Sequence, residues 1–354
     1  MKIKTVFAIF LTLLLTACGN GGRTSSTPVV TLPDTDTATS STTVLTNPQR
    51  VKADKAWAKG FYGQNILIGV IDSGVRASHT AFTSGRVRGD LGYDFDAKVA
   101  DTTDPVSGEG HGTKVASVAI GTTASTIGVA PKAEVIPLRI CLTDCVTTIR
   151  DNMQFKDAFA WAHMQGAKVI NYSLFTPFSS IDLSPGLAND PLYEALITTG
   201  INDIVVVFAV GNNGSTDGPV QPARNVDEAH YGGNLIAVGN VLIDPLTQKP
   251  STLDPTSNYA GLAKNKYIVA PGATNAASHA SDTEYVSSNG TSFAAPLVAG
   301  AAALIREAYP ALTAAQVVQV LLNSADDLGD AGVDEVYGHG MLNIEAALTL
   351  AATY

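Results

Sequence analysis

From about residue 51 onward the chain alternates short uninterrupted apolar runs with longer segments whose apolar residues recur at helical spacing. Ile66–Ile71, Glu134–Leu138, Val169–Ser173, Ile204–Val210 and Leu235–Val238 read as strands. Lys114–Ile120, Asn152–Gln165, Leu192–Thr199, Ala294–Ala308 and Ala314–Leu322 read as helices. The strands are continuously apolar instead of alternating, which predicts a mainly parallel sheet covered by helices on both faces, an α/β fold. Roughly 300 residues are enough for one core that buries about 75% of the unfolded surface. No internal repeat is evident.

Candidate chemistry concentrates where apolar runs meet glycines. Asn289-Gly290-Thr291-Ser292-Phe293-Ala294-Ala295-Pro296 leads into an alanine-rich helix. A serine at a helix start is ordinarily an N-cap, yet the same place leaves its backbone N–H unpaired and able to meet an oxyanion. A nucleophilic serine needs a base, and the base needs a third group to hold it. Of six histidines, only His111 stands in a glycine-framed helix entry, Gly110-His111-Gly112-Thr113. Asp72 ends the run Ile66–Ile71 and so falls at the carboxyl edge of the sheet, where open α/β folds place their sites. Singly, Asp72 could be a turn residue and His111 an ordinary helix-start residue. Together with Ser292 they stand in the order Asp, His, Ser, one of the orders known for a convergent triad.

These segments resemble the subtilisin-like serine proteases, the subtilases. The resemblance rests on Val70-Ile71-Asp72-Ser73-Gly74, Gly110-His111-Gly112-Thr113 and Asn289-Gly290-Thr291-Ser292. It is supported in order by Gly128-Val129-Ala130-Pro131, Val169–Leu174, Val207–Asn212, Val269-Ala270-Pro271-Gly272 and Tyr337-Gly338-His339-Gly340, and covers roughly residues 51 to 350. It implies a three-layer sandwich in which Ser292 is nucleophile, His111 general base and acid, and Asp72 the group that orients His111. Asn212 becomes the side-chain donor to the oxyanion, with Asn213 in a turn-forming Asn-Asn-Gly as the neighbouring candidate. Ser173, Leu174, Phe175, Ala209, Val210 and Gly211 become substrate-binding positions. The implied activity is endopeptidase cleavage of protein or peptide substrates with no cofactor for the chemistry. The same constellation would also serve an inactive binding protein, or acyl transfer and ester hydrolysis.

The chain departs from the family pattern in three places. Lys114 stands where a second histidine is usual, and Phe293-Ala294-Ala295 where Met-Ala-Ser is common; neither change removes a group that handles protons or the oxyanion. Phe175 and Thr176 follow Ser173-Leu174 where the family usually has glycine. Phe175 is therefore expected to narrow the pocket for the residue before the scissile bond, favouring small or aliphatic side chains.

The N-terminus carries a separate message. Lys2 and Lys4 precede the apolar run Val6 to Leu15, which is too short to span a bilayer and has the character of a signal peptide. Its end, Leu15-Thr16-Ala17-Cys18, resembles the bacterial lipobox, which implies residues 1–17 as a lipoprotein signal peptide and acylation of Cys18. Several acyl chains anchor firmly, since each buried CH₂ contributes about 0.8 kcal/mol. No aspartate follows Cys18, a pattern that implies the outer membrane in a Gram-negative host, with the enzyme periplasmic or surface-exposed. Residues 18–50, rich in Ser and Thr, read as a flexible tether, and 51–354 as the peptidase domain.

Composition adds limits. A formal net charge of −10, or −12 once Lys2 and Lys4 leave with the signal, argues against nucleic acid or an anionic membrane surface as partner. In an oxidising envelope Cys141 and Cys145 are candidates for a disulfide. Asp94, Asp96, Asp101 and Asp104 could include a ligand to a structural calcium, as subtilases often bind one. Their spacing fits no EF-hand, however, and they read as a solvated acidic loop with no metal residues assigned.

Overall fold

The computed structural model describes residues 44–104, 110–141, 152–174, 191–227 and 229–354. The strands are β1 Leu67–Asp72, β2 Tyr93–Asp94, β3 Thr122–Thr123, β4 Thr126–Ile127, β5 Glu134–Arg139, β6 Val169–Tyr172, β7 Val205–Ala209, β8 Leu235–Ile243, β9 Pro250–Leu253, β10 Tyr267–Ala270, β11 Thr274–Ala277 and β12 Tyr285–Ser288. The helices are α1 Asn47–Arg50, α2 Ala53–Ala58, α3 His111–Ile120, α4 Asn152–Met164, α5 Pro191–Ile201, α6 Thr291–Ala308, α7 Ala314–Asn323 and α8 Ile344–Ala351.

The main sheet runs β10-β8-β7-β6-β1-β5-β2, all parallel, with β9 antiparallel beside β8. The uninterrupted apolar runs of β1, β5, β6 and β7 are buried along almost their whole length, as a sheet covered on both faces requires. Successive residues of a strand face opposite ways. On β1 a Cβ at Gly69 would lie 3.4 Å from Ala162 of α4, whereas Asp72 meets His111 of α3, so helices flank both faces.

The strand order also locates the site. From β1 the chain moves out to β5, then returns to the other side of β1 as β6 and continues to β7 and β8. The order reverses at β1, and a crevice opens at the carboxyl ends of β1 and β6, the place where open α/β sheets bind ligands. In register, Ile71 pairs with Tyr172. Asp72 at the end of β1 and Ser173 just past β6 are therefore next to each other across the ladder.

Helix α6 is buried from Thr291 to Arg306 and packs against β6, β7 and β8. Its small residues Ala294, Ala295, Ala299 and Gly300 let it lie close: a Cβ at Gly300 would come 2.7 Å from Val129. The folded body begins a few residues before 51, because Asn47 of α1 donates from Nδ2 to the carbonyls of Pro271 and Ala273 at 2.9 and 2.8 Å.

The acidic cluster corrects the sequence reading. Asp94 is buried in an ion pair with Arg139, at 2.6 Å to Nη2 and 2.8 Å to Nε. Asp104 is buried as well, while Asp96 and Asp101 are exposed. The four do not form a solvated loop. The Asp94 carboxylate is taken up by Arg139 and the backbone N–H groups of Asp96 and Ala97, and that of Asp104 by hydroxyls and an N–H. Among the described residues, no group of three or more His, Cys, Asp or Glu side chains is placed to hold a metal.

Candidate active site

Asp72 is fully buried at the switch point. Both of its oxygens lie 2.9 Å from Nδ1 of His111, and Oδ1 also accepts the Ser73 N–H at 2.8 Å. A carboxylate oxygen can only accept, so Nδ1 of His111 carries the proton and Nε2 is the basic nitrogen. The approach is close because residue 112 is glycine: a Cβ there would sit 2.2 Å from the Gly74 carbonyl and 3.0 Å from Cβ of Asp72.

Ser292 lies in the first turn of α6, close beneath the surface. Gly290 precedes the helix at φ 130°, a conformation that favours glycine. Pro296 falls four residues after Ser292 and has no N–H, so the Ser292 carbonyl lacks its helical partner. Ser173 supplies one. Its hydroxyl donates to the Ser292 carbonyl at 3.0 Å, while the Ser292 hydroxyl donates to the Ser173 carbonyl at 3.0 Å. Asn171, fully buried within β6, donates to the Ser173 hydroxyl at 2.9 Å. The end of β6 and the start of α6 are thus fastened together by reciprocal bonds at the serine. Phe293, the next residue, packs its ring 5.7 Å from that of His111, which brings the entry of α3 to the entry of α6.

Asn212 follows β7 and is exposed. Its Oδ1 accepts the Thr291 N–H at 2.9 Å and the Thr291 hydroxyl at 3.0 Å. Because the backbone N–H can only donate, the amide orientation is set by the network and Nδ2 faces away from it. Asn213 is placed differently, with its backbone N–H bound to Asn258 at 3.3 Å. Of the sequence-derived substrate positions, Ser173 and Leu174 are buried just past β6, and Ala209, Val210 and Gly211 close β7. Phe175 lies outside the described residues, as do Cys18 and Cys145. Cys141 is buried after β5 and disulfide-bonded.

Several supporting residues escaped the sequence reading. Buried Asn258 donates to the Val210 carbonyl at 3.0 Å and accepts the N–H of Ser215 at 2.9 Å, which fixes the loop that carries Asn212. Asn240 donates to Asp254 at 3.1 Å and to Asn289 at 3.0 Å, and Asn289 donates to Asp254 at 2.8 Å. This triangle holds the approach to Ser292. Hydrogen bonds from Thr256 and Asn289 keep the Asp254 carboxyl below the usual carboxylate range despite its burial. The available signal was a polar residue inside an apolar strand, as with Asn171 in β6 and Asn240 in β8.

Fold and site together define a serine peptidase of the parallel α/β class. The chain belongs to the subtilase family (peptidase S8), whose model matches residues 63–340. It is 34% identical to subtilisin DY of Bacillus licheniformis over 299 residues, covering 84% of this chain and 96% of that one. Subtilisin Savinase of Lederbergia lenta is 32% identical over 302 residues, again covering 84% of this chain and 96% of the other. Among solved structures, the self-cleaved protease domain of PatA superposes with a TM-score of 0.62 at 27% identity, covering 82% of this chain and 97% of that domain. A lanthipeptide protease shares the fold at a TM-score of 0.68 and 22% identity. The protein is a subtilisin-like serine endopeptidase.

Proposed function

We propose that the protein is a lipid-anchored endopeptidase of the bacterial cell envelope, acting through Ser292, His111 and Asp72 with Asn212 at the oxyanion. The observation that carries the catalytic reading is the Asp72–His111 bond at the sheet's switch point, with Phe293 bringing the first turn of α6 against the same imidazole. The anchor rests on Leu15-Thr16-Ala17-Cys18.

In the first half-reaction the Ser292 hydroxyl turns from the Ser173 carbonyl and gives its proton to Nε2 of His111 as Oγ attacks the scissile carbonyl. Asp72 stabilises the imidazolium and keeps its orientation. The negative oxygen that develops meets the Ser292 N–H and Nδ2 of Asn212; one such donor contributes about 3 kcal/mol to the transition state. His111 then protonates the leaving amine, which departs and leaves an ester on Ser292. Water repeats the sequence, with His111 taking its proton, and releases the acid. A calcium ion, if bound, would take no part in these steps.

Two outcomes check the substrate and anchor readings. Incubated with a denatured proteome, the enzyme should generate new termini with small or aliphatic residues before the cleaved bonds, as expected if Phe175 narrows that pocket. A preference for bulky aromatics there would overturn this reading of Phe175. Expressed in a bacterium, Cys18→Ser should move the protein from the membrane fraction to the soluble one. Retention on washed membranes would exclude Cys18 as the anchor. Among the described residues no helix is long and apolar enough to cross a membrane.

A further inference from the structure

Helix α3 carries His111 at its first position, yet its N-cap is Gly110, which has no side chain to satisfy the exposed N–H groups of the first turn. Two residues from elsewhere do so instead. The Gly112 N–H donates to the Ser73 hydroxyl oxygen at 2.9 Å, and the Thr113 N–H donates to Oδ2 of Asp104 at 3.2 Å. Since Ser73 accepts from Gly112, its own proton is free for Asp104, whose two oxygens are each 3.3 Å away. The Thr113 hydroxyl also donates to Asp104, at 2.8 Å. Ser73 is in turn held from its other side, its N–H bound to Asp72. Two buried carboxylates therefore grip one serine, and that serine grips the residue after His111.

We propose that Asp104 is a positioning residue for His111: through Ser73 and Thr113 it caps the helix that carries the imidazole, and its charge stabilises the imidazolium formed during catalysis. This rests on His111 being the general base.

Asp104 makes no contact that a neutral acceptor could not make, yet the chain buries a carboxyl there beside a second one. Burial foremost, and then the nearby Asp72, push its pKa from the ordinary 3.8 up to about 6, against hydrogen bonds from Thr113 and the influence of His279, which lower it. The charged groups that act on it are Asp72 on β1, whose carboxylate holds Nδ1 of His111, and His279 on the β11–β12 connection, while Arg139 on β5 reaches the neighbouring Thr103 with Nη1. A carboxyl raised on folding stabilises the fold below its unfolded value, and that stability is lost as pH rises through about 6. At the alkaline side the ionised group costs stability, and what it provides in return is a negative charge behind the Asp72–His111 pair.

Asp104→Asn keeps a hydrogen-bond acceptor and removes the charge. Measured on a fluorogenic peptide, kcat should fall about tenfold with KM unchanged, and the acid limb of kcat/KM should move to lower pH as the imidazolium loses its support. At pH 8 its melting temperature should exceed that of the wild type, the reverse of what loss of a purely structural cap would give. An acid limb that stays in place in folded Asp104→Asn overturns the proposal, whatever happens to kcat. If that variant does not fold, Ser73→Ala decides: lowered kcat at unchanged KM supports the proposal, and unchanged kcat overturns it. Should the wild type show no Ser292-dependent hydrolysis, the endopeptidase reading through Ser292 fails. The NMR titration of the His111 ring then still tests Asp104, which requires a shift to lower pH in Asp104→Asn and is refuted by none.

Discussion

Ser292→Ala should lower kcat on a peptide substrate by on the order of 10⁶-fold, the loss seen when one member of a unit acting together is removed. The fold should survive, because the deleted hydroxyl makes a single bond to the Ser173 carbonyl, whereas the bond from Ser173 to the Ser292 carbonyl uses only backbone on the α6 side and remains. Melting temperature should change little, so the kinetic loss cannot be mistaken for unfolding. Steady-state assays and a thermal melt on the same preparation check both parts. Retention of more than about one per cent of activity would place the nucleophile elsewhere, since the residual rate from binding and the oxyanion site alone is about 10³–10⁴ over water.

Asp72→Asn should be the next most damaging change, at about 10⁴-fold in kcat. The carboxylate now accepts from Nδ1 of His111 with both oxygens at 2.9 Å and from the Ser73 N–H. An asparagine can keep only one acceptor. With its oxygen held by Ser73, its amide donor faces Nδ1, which must then give up its proton to Nε2. That is the wrong tautomer for a base directed at Ser292. The site is close-packed around this pair, and a fully buried position cannot exchange its partner with water. KM should change far less than kcat. Raising the pH should not rescue the variant, because the fault is in tautomer and charge and not in the imidazole's protonation. Kinetics on folded protein from pH 6 to 10 would decide.

The parts of the fold that were legible in sequence are those whose neighbours on both sides are apolar. β1, β5, β6 and β7 were read to within a residue or two, since a buried parallel strand needs an unbroken apolar run. β8 ran on past the expected end at Val238, through Gly239 and Asn240, because Asn240 spends its polar groups on Asp254, Asn289 and the Gly272 N–H. The pair β11–β12 and the edge strand β9 carry Thr, Ser and Asn on partly exposed positions, so apolar periodicity had nothing to detect. α8 was short and terminal, although Asn343 caps it at 3.0 Å.

The candidate site divides along a similar line. Asp72, His111 and Ser292 stood out because each sits where a glycine-containing turn meets an apolar element, a combination the sequence displays directly. Their support did not. Asn171, Asn240, Asp254 and Asn258 are ordinary residue types whose meaning arises only when distant strands bring them together. The acidic stretch before His111 was misread for the same reason. Composition suggested a wet loop, while the fold pairs Asp94 with Arg139 and presses Asp104 against Ser73 and Thr113.

In the proposed mechanism Ser292 is a nucleophile made reactive by His111 and Asp72. Labelling the folded protein with a fluorophosphonate, followed by mapping of the modified peptide, tests it most directly. One stoichiometric adduct is expected, on the peptide that contains Ser292, formed slowly or not at all in Asp72→Asn. An adduct on another residue, or none on correctly folded wild-type protein, would contradict it.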